Sequence, residues 1–306
     1  MNSVPTENSP CAVSAIKSRF KSNGAWCSAT LYVPSECLQP PPAILMVHGW
    51  GGVQSTLLEP FQRRFNDAGF AVMTFDFCGW GESEGVPRNT INPWKRIKDV
   101  ENALQHLKGS TQVDAQKLVL WGTSFGGGHV IDLAAAHPEL LGAIAHVPLL
   151  DGLDAVKAIP LSRSLRFGLN AAADLLKTGQ PLYIPVIAPP GQFATMDRDG
   201  AYDAMQAGTI GDYDNRIAAR SVLTMGLYRP FKKIPKIRIP TLMVGATHDT
   251  VAPFVRRKIT NKMGCIRIVT LDCNHFEPYF EPLLSTNLQY QLEFLKSITQ
   301  GRLHTT

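Results

Sequence analysis

Three side chains in this sequence have the types and settings that nucleophilic acyl chemistry requires. Ser124 stands in "GTSFG" (122–126), with the apolar run "KLVL" (117–120) ahead of it and a helix-compatible segment behind. Glycines also make plain turns, and a serine also caps helices. A strand-to-helix turn with small residues two before and two after the serine, however, exposes its hydroxyl, and the following amides point at developing negative charge. A serine hydroxyl is a weak nucleophile until a base takes its proton, and the base needs an acid to orient it. Asp249 in "GATHDTVAP" and His275 in "LDCNHFEPY" supply both, in the order Ser, Asp, His. Each falls in a loop just past the carboxyl end of an expected strand, 241–246 and 266–271.

A tetrahedral intermediate also needs hydrogen-bond donors for its oxygen. The amide of Phe125, next after the serine, is one. The second is expected from the glycine-rich "HGWGG" (48–52), where we assign the amide of Trp50. Other candidates are weaker. His48 is expected to brace its loop, His248 to project away from the serine, and Asp272 to shape the turn before His275. His129 and His146 read as packed or capping histidines. Asp151, in "LLDG", is an alternative acid. Cys273 is not expected to compete beside a well-formed serine turn. The trio needs neither metal nor cofactor.

These residues require a scaffold that brings distant segments to one edge. Residues 13–20 and 25–33 look like strands joined by the hairpin signal "KSNG". A short, wholly apolar strand is expected at 43–47, further strands at 70–77, 117–122, 142–147, 241–246 and 266–271, and helices at 55–68, 93–108, 125–136, 252–263 and 285–299. In the helix 93–108, Trp94, Ile97, Val100, Leu104 and Leu107 fall at helical spacing behind an initial proline. Strands alternating with helices predict an α/β fold: eight strands, mostly parallel, helices on both faces, an antiparallel hairpin at one edge. The alternation breaks between 151 and 237, so 1–150 and 238–306 form the core. The interruption reads as a cap over the carboxyl edge, where open α/β sheets bind ligands.

Composition excludes several classes. The 306 residues are 44% hydrophobic with a net charge of +5 spread along the chain. The densest basic stretch, "YRPFKKIPKIR" (228–238), carries two prolines and precedes a strand, so it reads as a linker rather than a nucleic-acid patch. Six cysteines with no CxxC spacing argue against a zinc site or a disulfide framework. The N-terminus lacks a signal-peptide pattern, and no run approaches 18 apolar residues. A cytoplasmic protein is expected, with a homodimer left open.

Taken together, "HGWGG", "DFCGWGES", "GTSFGG", "GATHDTVAP" and "NHF" resemble the α/β-hydrolase superfamily over nearly the whole chain. "GVPRN", "SFGGGHVI", "YIPVIAPPGQFATM" and "YRP" resemble a branch related to S15-type peptidases, dienelactone-hydrolase-like proteins and fungal polyketide transferases. The resemblance implies a Ser124–Asp249–His275 triad and a pocket beneath the cap. Cys78 stands where many relatives have arginine, and Asn274 where glycine is usual; asparagine also tolerates unusual backbone angles. The chain has no room for the extra β-domain of S15 peptidases, which weakens a peptidase assignment. The expected activity is hydrolysis of a small-molecule carboxylic ester or thioester through an acyl-enzyme on Ser124. Acyl transfer is the alternative, followed by a small aminopeptidase or amidase in which Asp197, Asp199 or Asp203 would hold the substrate amine. Epoxide hydrolysis or dehalogenation would need an aspartate at 124. Tyr183, Ile187, Phe193 and Met196 are expected to line an apolar substrate pocket.

Overall fold

In the computed structural model, residues 12–35, 38–260 and 264–301 are described. Cys11 and Cys37 lie outside them. The N-terminal hairpin pairs β1 (Val13–Ser22) with β2 (Ala25–Pro34) over ten residues each. Its turn is Asn23–Gly24, with φ of 47° and 83°, the double positive φ that tight hairpins require and that Asn-Gly supplies cheaply.

Seven further core elements follow the alternation the sequence announces: β3 (Ala43–Val47), α1 (Glu59–Asp67), β4 (Ala71–Phe75), α2 (Pro93–Lys108), β5 (Leu118–Thr123), α3 (Phe125–Ala134) and β6 (Gly142–His146). The inserted segment contributes α4 (Gly152–Lys157), α5 (Leu161–Leu176), β7 (Tyr183–Ile184), α6 (Ala201–Gly208) and β8 (Ile217–Ala218). The core resumes with β9 (Thr241–Ala246), β10 (Ile266–Leu271) and α7 (Leu283–Thr299). The eight-stranded sheet runs β1-β2-β4-β3-β5-β6-β9-β10; β1–β2 and β2–β4 pair antiparallel, and every other pair is parallel. β3, β4, β5, β6 and β9 are buried at every position, as strands covered on both faces must be. Helix α2 packs with α3, and α1 with α7. No helix among the described residues is long and apolar enough to cross a membrane.

Two expectations fail. Residues 252–260 form no α-helix, only a 3₁₀ turn at Arg256–Lys258, flanked by β-branched Val255 and Ile259, whose χ1 stiffness lowers helix propensity. Residues 261–263 of that expected helix lie outside the described residues. In α2, Trp94 is half exposed, whereas Arg96 and Asp99 are buried. Helical spacing finds the apolar stripe but not two charged residues drawn inward by partners elsewhere.

The turn between β5 and α3 fixes the site. Ser124 adopts φ 55° and ψ −120°, a strained conformation for a residue with a side chain. It is held there because its amide donates to His146 O (2.9 Å) and its carbonyl accepts from Leu149 N (2.9 Å). The flanking glycines are required by close approach. A Cβ on Gly126 would lie 2.3 Å from Val47 O and 2.5 Å from His48 O, and one on Gly122 would lie 2.5 Å from Gly126 O. Gly126→Ala is expected to lower the unfolding free energy by about 1–3 kcal/mol or more, because both clashing atoms are backbone. Thermal denaturation of the variant checks this.

Candidate active site

Ser124, Asp249 and His275 come from three loops and meet. His275 Nε2 lies 3.0 Å from Ser124 Oγ, and His275 Nδ1 lies 2.5 Å from Asp249 Oδ2. The other carboxylate oxygen, Asp249 Oδ1, accepts from the amides of Val251 (2.8 Å) and Ala252 (2.7 Å), which aims the carboxylate. Asp249 and His275 are both buried. The amides of Phe125 and Trp50 donate to no acceptor among the described residues. Gly49 passes so close to the serine that a Cβ there would sit 3.2 Å from Ser124 Cβ. Asn274 does not use a positive φ; its Oδ1 instead accepts from Phe276 N (2.8 Å) and Glu277 N (3.1 Å), shaping the loop through its side chain.

The rivals are engaged elsewhere. His248 pairs with Asp272 at the surface (2.8 Å). His48 is fully enclosed, its ring 3.2 Å from Gly49 O, and burial followed by the nearby Arg96 charge lowers its pKa to about 3. His129 bonds Tyr228 Oη (2.9 Å) and His146 bonds Thr123 Oγ1 (2.9 Å); burial keeps both neutral. Burial raises the Cys273 thiol to about 11, so it holds no thiolate at neutral pH.

Sequence reasoning missed three supports of this centre. Arg96 donates to Gly49 O (3.3 Å) with its guanidinium over the rings of Phe77 (4.3 Å) and Trp80 (5.0 Å); desolvation pulls its pKa down to about 9. Asp76 accepts from Gln54 N (2.7 Å) and Glu82 N (2.9 Å), joining the loop after β3 to the loop after β4. Tyr213, from the insertion, donates to Gly51 O (2.9 Å). A buried arginine at helical spacing gives no signal of its own in a sequence.

The insertion leaves a cavity of about 330 Å³ above Ser124, lined by Trp50, Phe125, Phe167, Met196, Val222 and Met225 among others. Of the four expected lining residues only Met196 reaches it. Tyr183 lies in β7 with its hydroxyl 3.3 Å from Arg88 O, Ile187 is buried beside the Met196 backbone, and Phe193 packs on Phe167. That proline-rich stretch is folded into the body of the insertion, and α4, α5 and the 3₁₀ segment 219–227 form the walls instead. One wall is ionic: buried Asp197 is paired with Arg163 and Arg198. Asp199 and Asp203 are exposed and line no part of the cavity.

Asp151 caps α4 and binds Arg229 (2.7 Å) and Lys258 (2.5 Å) rather than His275. Burial alone would raise its pKa, but hydrogen bonds from Arg229, Lys258 and the Leu153 amide outweigh it and hold the carboxyl at about 2. A carboxyl depressed from about 3.9 in the unfolded chain stabilises the fold above that pH, and the contribution is lost as pH falls toward 2. Asp151→Asn is therefore expected to flatten the acid limb of the stability profile between about pH 4 and 2. At neutral pH it should lower the melting temperature, because Arg229 loses its carboxylate. Calorimetry across pH reads both effects.

Comparison with known proteins agrees with this architecture. Over 288 residues the chain is 32% identical to the quorum-quenching protein AidA of Acinetobacter baumannii, covering 92% of this chain and 94% of that one. It is 28% identical over 151 residues to the thiohydrolase aneE of Aspergillus aculeatus, 48% of each chain. The crystal structure of the α/β hydrolase GrgF from Penicillium superposes with a TM-score of 0.74 at 22% identity, covering 94% of this chain and 99% of that one. The sequence named polyketide transferase grgF is 27% identical over 150 residues, 49% of this chain and 50% of that one. Residues 39–265 match the family described as serine aminopeptidase, S33. The chain belongs to this family of α/β hydrolases.

Proposed function

We propose that Ser124, His275 and Asp249 are the triad of a serine hydrolase that cleaves a small-molecule carboxylic ester or thioester. The observation that carries this reading is the continuous line from Ser124 Oγ to His275 Nε2 (3.0 Å) and from His275 Nδ1 to Asp249 Oδ2 (2.5 Å). Ser124 Oγ attacks the acyl carbon as its proton passes to His275 Nε2. Asp249 holds the Nδ1 proton in place and stabilises the imidazolium. The Trp50 and Phe125 amides receive the developing oxyanion. Collapse of the tetrahedral intermediate expels the alcohol or thiol, which takes the proton from His275. Water then attacks the acyl-enzyme, with His275 first accepting its proton and then returning one to Ser124.

The segment 151–237 acts in this scheme as the cap, and its cavity as the acyl site. Kinship with a protein named polyketide transferase favours acyl transfer as the second reading, since an alcohol or amine intercepts the same acyl-enzyme. An aminopeptidase needs a free carboxylate for the substrate amine, and Asp197 is already shared by two arginines. Nucleic acids and membranes have no place in the scheme. The site is complete within one chain, so a homodimer is compatible with it but not required. Four free cysteines among the described residues fit a reducing, cytoplasmic setting.

Release of acid from the methyl esters of butanoic to decanoic acid, followed by titration, tests the proposal. Ser124→Ala is expected to lose about 10⁴-fold or more in kcat. The wild type is expected to show a chain-length optimum set by the cavity. A variant as active as the wild type would reduce Ser124 to a helix cap.

A further inference from the structure

Ser124 borders two spaces. The large cavity is lined by Ser124 and Phe125, and His275 is not among its walls. A second, narrow chamber of about 30 Å³ also borders Ser124, walled by His275, Thr123, Tyr279, Leu57, Met196 and Met205 among others. Only the second touches the imidazole that must exchange protons with the departing and arriving groups. By size it takes a water or two, since about 10–15 Å³ of such volume holds one.

Its walls are fixed. Leu57 N donates to Gly208 O (2.6 Å) and Ile210 N to Ser55 O (3.1 Å), so the end of α6, which carries Met205, is fastened to the loop beneath it. The floor is a buried hydrogen-bond chain of set direction. Trp121 Nε1 can only donate, and it donates to Gln291 Oε1 (2.6 Å); Gln291 Nε2 then donates to Asn287 Oδ1 (2.7 Å). Asn287 Nδ2 donates to His146 Nε2 (2.8 Å), so the neutral His146 carries its proton on Nδ1 and gives it to Thr123 Oγ1 (2.9 Å). Thr123 and Tyr279 share one further hydrogen bond. Two hydroxyl protons meet there and one bond uses one of them, so the other has no acceptor among the described residues. In the acyl-enzyme, where Ser124 Oγ carries no proton and His275 Nε2 is free to accept, a water in the chamber can accept that proton and donate to His275 Nε2.

We propose that this chamber is the subsite of the second reactant, sized for water or methanol, and that Met205 sets its limit. The inference rests on the acyl-enzyme mechanism above and deepens it by naming the acceptor. The acyl group fills the large cavity; the nucleophile that breaks the acyl–Ser124 bond enters the small chamber and passes its proton to His275. Water is then the favoured acceptor, and bulky alcohols are excluded by the Met205 and Leu57 side chains rather than by chemistry. By microscopic reversibility, methyl esters acylate Ser124 faster than butyl esters of the same acid.

The test is partitioning of the acyl-enzyme formed from one methyl ester, between water and added ethanol, 1-propanol or 1-butanol, with the new esters measured by gas chromatography; labelled methanol extends the series downward. The wild type is expected to prefer methanol over 1-butanol by about tenfold or more. Met205→Ala is expected to bring that ratio to within about threefold of one. Met205→Leu keeps the bulk and guards against a folding defect, and it should retain the wild-type ratio. Equal transfer to methanol and 1-butanol by the wild type overturns the subsite. An unchanged ratio in a cooperatively folded Met205→Ala overturns the role of Met205. Failure of the mechanism itself reads differently: Ser124→Ala would retain turnover, whatever the alcohol ratio.

Discussion

The site depends first on strand register. β3, β5, β6, β9 and β10 run parallel and end in step: Val47 stands opposite Gly122, Thr123 opposite His146, His146 opposite Val244, and Leu271 opposite Ala246. The loops that carry Ser124, Asp249 and His275 therefore leave the sheet at one edge. A slip of one residue in any pairing would exchange the two faces of a strand and carry its closing loop out of step with its neighbours. β3, β5, β6 and β9 are buried on both faces and β10 only in part, so hydrophobic burial holds the central strands in place, and the meeting of Ser124, His275 and Asp249 follows from their common edge.

At that edge the backbone is crowded, and the crowding is held by polar contacts that would be costly if left unmade. Ser124 keeps a positive φ because β6 and the segment after it bind both its amide and its carbonyl. The loop after β3 is fastened by Arg96 through Gly49 and by Asp76 through Gln54. Arg96 is buried with its Nε and Nη2 lacking acceptors among the described residues, so ring faces carry part of its stabilisation. Such a fixed, water-poor surround strengthens every electrostatic contact made within it.

The inserted segment is bonded into the same loop rather than merely resting on it. Trp50 Nε1 donates to Thr195 (3.1 Å), Tyr213 donates to Gly51 O, and Val186 packs where a Cβ on Gly51 would collide at 2.4 Å. One short stretch, 49–57, thus carries a candidate oxyanion donor, borders both chambers and anchors the insertion. Displacing the insertion would disturb the serine's surroundings as well as the cavity above it.

The sequence by itself determined the sheet, its hairpin edge and the residues that converge on Ser124. Those signals are local: apolar runs, glycines at a fixed offset, and polar residues just past a strand. Helix α2 shows the boundary. Its stripe was legible, but only packing could reveal that Arg96 belongs inside and Trp94 outside. The helix expected from 252 likewise fails over its described residues, 252–260, where only one 3₁₀ turn forms between β-branched Val255 and Ile259. The cavity walls were the least legible part. Hydrophobicity in 183–196 does not say which face of an irregular segment looks inward: Ile187 and Phe193 serve the insertion's own packing, Tyr183 reaches Arg88 of the core, and of the four expected residues only Met196 lines the cavity. Which residues touch a ligand space is set by long-range packing between segments that share no periodicity, and that information exists only once the chain has folded.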